Sequence, residues 1–199
     1  MALPINIEEL LAKRKVESNR IEFKEGWIPI AIYRTICAFA NDIDNLGGGY
    51  ILVGVKETDG VAQRPVKGLP LESLDKIQRQ MIQFNTMIEP HYTPRISVEE
   101  VDDRYVLVIW VTTGNKRPYS VPTDVTAKQK KPAFYIRYGT SSIEAKDQFL
   151  DELRDLANRV PFDDRGNENI TIDDISPLLL KDFLPRWKAG LQKKTLLLT

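Results

Sequence analysis

Glu17 and Glu22 stand five residues apart in the run Glu17-Ser18-Asn19-Arg20-Ile21-Glu22-Phe23-Lys24, and Glu57 follows an apolar run that ends at Val55. Carboxylates at adjacent strand ends supply the oxygen ligands that Mg2+ and Mn2+ prefer. A cation so held can activate water against a phosphodiester. The same spacing is met among solvated surface glutamates, so the residues alone leave both readings open.

A second constellation is Ala38-Phe39-Ala40-Asn41 followed by Gly47-Gly48-Gly49 and then an apolar strand. Glycines in that place let backbone approach backbone, or backbone approach a phosphate. No Gly-Lys-Ser/Thr follows and the glycines lead into a strand, so this is not a Walker loop. Asn41, Gly47, Gly48 and Gly49 are therefore expected to build a helix-to-strand turn.

The third constellation runs from Gly114 to Tyr138. Lys116, Arg117, Lys128, Lys130, Lys131 and Arg137 face only Asp124 in charge, and Tyr119, Phe134, Tyr135 and Tyr138 are interleaved with them. Lysines and arginines would meet phosphates, and tyrosines such as Tyr119 could stack on bases. A plain solvated loop has the same composition. His91 has no Cys or second His near it, which removes a zinc site on ligand count. Cys37 lies on an apolar helical stripe and reads as a small core residue.

The elements that must position these residues are legible from periodicity. Asn6 reads as the cap of a short helix carrying Ile7, Leu10 and Leu11. Ile21 and Phe23 alternate with Glu22 and Lys24, the mark of a half-buried strand. Pro29 can open a helix whose apolar stripe is Ile32, Ile36, Phe39 and Ile43, widened by Cys37 and Ala40. Tyr50 to Val55 is apolar without alternation, which predicts a central strand covered on both faces. Leu71, Leu74, Ile77, Met81, Phe84 and Ile88 mark a third helix. Arg95 to Val101 and Arg104 to Thr112 read as strands joined at Asp102-Asp103. Thr113 to Pro132 reads as a long basic loop, Ala133 to Tyr138 as a strand, and Phe149 to Val160 as a fourth helix. Asp163 to Asn167 reads as a link to a helical piece near Asp174 to Lys188. The expected fold class is α/β (α+β), a β-sheet with flanking helices, with a domain over 1–165 and a C-terminal helical extension, or the start of a following region, over 166–199.

With 199 residues, 28 Lys plus Arg against 28 Asp plus Glu, and 42% hydrophobic residues, the chain is of ordinary globular composition. That excludes a disordered chain, a collagen-like fibre and a disulfide scaffold. One cysteine cannot form an internal disulfide, and no apolar run reaches the roughly 18 residues of a membrane helix. Met1 to Arg14 lacks the basic-then-apolar order of a signal peptide. The expected location is the cytoplasm, with no membrane partner. Zero net charge means that any attraction to nucleic acid comes from a local patch.

The order of these motifs resembles the Schlafen AlbA-type, DNA-binding domain family. The resemblance rests on Glu17-Ser18 through Glu22-Phe23-Lys24, then Ala38-Phe39-Ala40-Asn41, Gly48-Gly49-Tyr50-Ile51-Leu52-Val53-Gly54-Val55, Arg117-Pro118-Tyr119, and Phe134 to Ser142. It covers Lys13 to Arg165. Ala40-Asn41-Asp42, Asn45 to Tyr50 and Val160-Pro161-Phe162-Asp163-Asp164-Arg165 are similar to a bacterial branch whose longer members continue into an ATP-binding region and are labelled transcriptional regulators or ATP-binding proteins. The resemblance implies a mixed sheet and nucleic-acid binding, to DNA or RNA. In animal Schlafens a related domain is an endoribonuclease using three carboxylates. Two match here as Glu17 and Glu22. The third falls at Lys56-Glu57, where Glu replaces the usual Asp.

Three functions follow as expectations. The first is a nucleic-acid-binding domain of a regulator, with Lys116, Arg117, Tyr119, Lys128, Lys130, Lys131 and Arg137 in contact. The second is an endoribonuclease on Glu17, Glu22 and Glu57, and only in that case is Mg2+ or Mn2+ a cofactor. The third is an interaction module that forms a homodimer and positions an ATP-binding region. A lysine on either side of the carboxylates, Lys24 and Lys56, favours an acidic cluster that is balanced without metal.

Overall fold

A computed structural model gives the arrangement of residues 6–12 and 19–158, which are the residues described below. In chain order the elements are α1 (Ile7–Ala12), β1 (Ile21–Lys24), α2 (Pro29–Asn41), β2 (Gly49–Val53), β3 (Glu57–Thr58), β4 (Val61–Ala62), α3 (Leu71–Asn85), β5 (Arg95–Val101), β6 (Arg104–Val111), β7 (Ser120–Pro122), β8 (Pro132–Tyr138), β9 (Ser141–Glu144) and α4 (Asp147–Asn158). The expected 165/166 boundary, the Val160 to Arg165 exit and the helical piece beyond it lie outside the described residues.

The main sheet has the strand order β1-β2-β6-β5. β1 runs parallel to β2, and β2–β6 and β6–β5 are antiparallel, so the sheet is mixed, as the family resemblance implies. β2 is central. Its unbroken apolar character has a direct cause: Ile51 and Val53 join one buried cluster and Leu52 the other. Asp102 and Asp103 both take positive φ, at 51° and 57°, the two-residue hairpin geometry that suits the twist of β5 and β6.

The first cluster lies between the sheet and helices α2 and α3, with Ile32, Ile36, Phe39, Leu74, Ile77, Met81 and Phe84 against Ile51, Leu107 and Ile109. The opposite face meets α1 through Leu10 and Leu11. Asn6 accepts the Glu8 N–H at 3.0 Å and caps α1. A separate three-stranded sheet, β7-β8-β9, packs on α2. Helix α2 is thereby enclosed between two sheets. This is why its buried set reaches Thr35, Cys37, Ala38, Ala40 and Asn41, beyond the stripe that periodicity alone marks.

Three features depart from the sequence-based expectation. The segment 113–132 is not all loop, because Ser120–Pro122 pairs with Pro132–Phe134. β9 and the β3–β4 hairpin, of two to four residues each, are too short to show a period. Helix α3 stops at Asn85, and Ile88 reaches the core from the turn that follows. No helix among the described residues is long and apolar enough to cross a membrane.

Candidate nucleic-acid interface and carboxylate cleft

Strand alternation sends Ile21 and Phe23 into the α1-side cluster and leaves Glu22 and Lys24 on the other face. There Glu22 accepts a hydrogen bond from Lys24 Nζ at 2.5 Å on Oε1 and from Arg137 Nη1 at 2.7 Å on Oε2. Arg137 also donates from Nε to the Asn19 carbonyl at 3.2 Å, from Nη1 to Ser142 Oγ at 3.0 Å and from Nη2 to the Thr140 carbonyl at 2.9 Å. Its guanidinium lies 5.0 Å from the centre of the Phe39 ring. Ser142 Oγ in turn donates to Thr35 Oγ1 at 3.1 Å. The side chains of Arg137 and Glu22 are only 8% and 16% exposed. The expectation that Arg137 meets phosphate is therefore corrected: it is the buried counter-ion of Glu22, and its donors are already committed.

The three expected carboxylates are not seen together. Glu17 lies outside the described residues. Glu57 is exposed in the β3–β4 hairpin, paired with Ala62. Glu22 is level with Ile51 in β2, and the Gly54 and Val55 N–H groups cap the β1 end at the Lys24 carbonyl, so Glu57 falls beyond that end. Among the described residues no group of three or more His, Cys, Asp or Glu side chains is placed to hold a metal ion. Both oxygens of Glu22 already face a cation. Among the described residues the donor set does not fit Mg2+ or Mn2+, which need several oxygen ligands.

The glycine turn has a different occupant from the phosphate it could have cradled. Asp42, in the left-handed region at φ 38°, accepts the N–H of Leu46 on Oδ1 at 2.8 Å. Its Oδ2 accepts those of Gly47 and Gly48 at 2.8 and 3.3 Å, and the Thr113 hydroxyl as well. The nest of N–H groups is filled by the chain's own anion. A Cβ on Gly48 would stand 2.1 Å from the Val111 carbonyl, and one on Gly49 2.5 Å from the Phe39 ring, so backbone approach is what these glycines serve.

Asn41 ties the layers together. Its Nδ2 donates to the carbonyls of Tyr119 and Tyr135 at 2.9 and 2.8 Å, and its Oδ1 accepts the Tyr119 N–H at 2.7 Å. Tyr119, 3% exposed, packs edge-on against Tyr92. It has no ring face for a base, which corrects the expectation that it stacks. Arg117 Nη1 donates to the carbonyls of Asn41 and Asp42 at 3.3 and 3.0 Å and to Asn45 Oδ1 at 2.8 Å. A cation on the last carbonyls of α2 is favoured by the helix dipole. Buried Cys37 donates to the Tyr119 carbonyl at 3.1 Å, and burial pushes its thiol pKa up to about 12.

What remains for a polyanion is Lys116, Lys128, Lys130 and Lys131, all exposed. The last three stand on the β7–β8 loop. Thr123 N–H closes that loop on the Lys131 carbonyl at 2.9 Å, and Arg34 donates to the Thr123 carbonyl at 2.7 Å. Asp124 accepts the Thr126 hydroxyl and N–H at 2.6 and 2.7 Å and the Ala127 N–H at 3.1 Å. These bonds, the hydroxyl first, hold its carboxyl below the usual range. Lys130 Nζ is drawn back onto the Val125 carbonyl at 2.5 Å. Lys128 and Lys131 project from a turn built by its own hydrogen bonds. Sequence reasoning missed Asp42, Arg34 and Ser142. Only Asp42 carried a signal, as an Asx residue ahead of a glycine turn.

The model of the Schlafen, AlbA_2 family matches residues 17–146, and the chain belongs to that family. None of the curated proteins compared with it matches. Among solved structures it resembles the DIP2311 protein from Corynebacterium diphtheriae, with TM-score 0.52 and 16% identity over 88% of this chain. The match takes in 36% of that protein, so this chain spans about a third of its length. It is also similar to the N-terminal domain of a RecG-related protein from Nitrosomonas europaea, named for the ATP-dependent DNA helicases, at 31% identity and TM-score 0.43. That match covers 68% of this chain and 87% of the other.

Proposed function

We propose that this chain is a nucleic-acid-binding domain of a regulator or ATP-binding protein, and that its phosphate contacts come from the β7–β8 loop. The observation that carries this is the division of labour among the cations of the 114–138 segment. Arg137 is consumed inside the fold and half-buried Arg117 holds the last carbonyls of α2 through Nη1, whereas Lys128 and Lys131 are exposed beside a single carboxylate that is satisfied internally. Ammonium groups on a fixed turn neutralise phosphates without reading sequence. Membership of the Schlafen AlbA_2 family supports the reading. Glu22 acts here as the partner that lets Arg137 lock β8 and β9 onto β1, and not as a nuclease ligand.

The test is incubation of the purified chain with tRNA and with duplex DNA, with and without Mn2+, scored for retention and for cleavage. Retention of either without cleavage is expected. Cleavage that needs Mn2+ and disappears in Glu22→Gln overturns the assignment of Glu22.

A further inference from the structure

One rung of the main sheet carries planar groups side by side. The register aligns Ile21, Tyr50, Trp110 and Arg95 across β1, β2, β6 and β5. The Tyr50 and Trp110 rings are stacked, 6.2 Å between centres and 11° between planes. The Arg95 guanidinium lies over the indole at 5.0 Å from its centre. Tyr50 and Trp110 are half-buried, and Arg95 is exposed on the outer strand β5. Helix α1 packs on the same face of the sheet around Leu52 and Val108, next to this rung.

We infer that this rung is a stacking platform for single-stranded nucleic acid. The inference rests on the nucleic-acid reading above and adds the form of polymer and a second surface. Unpaired bases stack on aromatic rings and on guanidinium planes, whatever their sequence. Here a tyrosine, a tryptophan and an arginine already form such a stack, and a base continues it on the exposed guanidinium. Charge fits the same occupant. Arg95 stands exposed at the outer edge of the rung, where its guanidinium can meet a phosphate as well as a base. Further along β5 this face turns acidic at Glu99, which the Ser97 hydroxyl engages, so the path runs across the rung and not down β5. A duplex keeps its bases paired and stacked inside and cannot use the platform.

The test measures fluorescence anisotropy of labelled oligo(dT) of about 12 nucleotides, and of a duplex of the same length, against the full chain. Trp110→Leu and Arg95→Ala are compared with the Lys128→Ala/Lys131→Ala variant. Trp110→Leu is expected to weaken oligo(dT) binding by about 5- to 100-fold while duplex affinity stays within about twofold. Arg95→Ala, at an exposed edge position that cannot unfold the core, weakens oligo(dT) in the same sense. It keeps the question decidable if Trp110→Leu fails to fold. Oligo(dT) affinity unchanged in Arg95→Ala and in folded Trp110→Leu overturns the inference, as does equal loss of both probes. If the lysine variant alone loses binding, this inference falls and the loop reading stands. If the unmodified chain binds neither probe, both fall.

Discussion

Replacing Arg137 with Met separates a structural guanidinium from a phosphate-binding one. Arg137 makes four hydrogen bonds, to Asn19, Glu22, Thr140 and Ser142, and covers the Phe39 ring. Met keeps the aliphatic stem and removes the donors. Breaking a buried ion pair from one side costs about 3–5 kcal/mol, because the other charge stays buried. Glu22 retains Lys24 at 2.5 Å, which places the expected loss near the low end, about 3 kcal/mol. Glu22→Gln keeps the volume and one acceptor but leaves the Arg137 charge buried without its anion, and should also cost about 3 kcal/mol. In the double variant neither charge is orphaned, so a coupling of about 1–3 kcal/mol is expected. Urea unfolding followed by circular dichroism gives all three values. A loss under about 0.5 kcal/mol in Arg137→Met, the size of an ordinary surface substitution, would refute the reasoning.

Asn41→Ala orphans the Tyr119 N–H and the Tyr135 carbonyl and should cost about 2–6 kcal/mol in the same assay, at about 1–3 kcal/mol per buried unsatisfied group. A tolerated Asn41→Ala would mean that the α2–β8 layer is held by apolar packing alone. Gly49→Ala puts a methyl against the Phe39 ring and the Arg20 carbonyl, at 2.5 and 2.6 Å, and should cost about 1–3 kcal/mol as overpacking; a wild-type melting midpoint would contradict the close approach. Cys37 should give no thiol signal with a disulfide reagent at pH 8 in the folded chain and one equivalent in denaturant. Its folded pKa lies above the unfolded value, so its contribution to stability is complete below about pH 8.5 and is lost as pH rises toward 12. Unfolding midpoints of wild type and Cys37→Ala that fall in parallel through that window would contradict the burial effect.

The sequence disclosed the main sheet because its signals are local. The run Tyr50 to Val55 declares two-sided burial, Asp102-Asp103 declares a hairpin, and Ile21 and Phe23 declare which way Glu22 points. It disclosed little of how the candidate site is wired, because the partners are remote. Nothing near Arg137 shows that Glu22, 115 residues earlier, will neutralise it. A cation in a basic segment looks the same whether it serves the fold or a ligand, and only packing separates Arg137 and Arg117 from Lys128 and Lys131. Tyr119 reads as an exposed aromatic until β7 is seen to carry it beneath α2. The Tyr50–Trp110–Arg95 rung exists only once three strands are in register.

The most direct measurement of the central claim is the salt dependence of duplex DNA binding, for the unmodified chain and for Lys128→Ala/Lys131→Ala. Each neutralised phosphate contributes about 0.9 to the slope of log affinity against log salt. Lys130 is drawn onto the Val125 carbonyl, so two contacts are expected from the loop. The account predicts a slope shallower by about two units in the variant. An unchanged slope would contradict it and remove the β7–β8 loop from the interface.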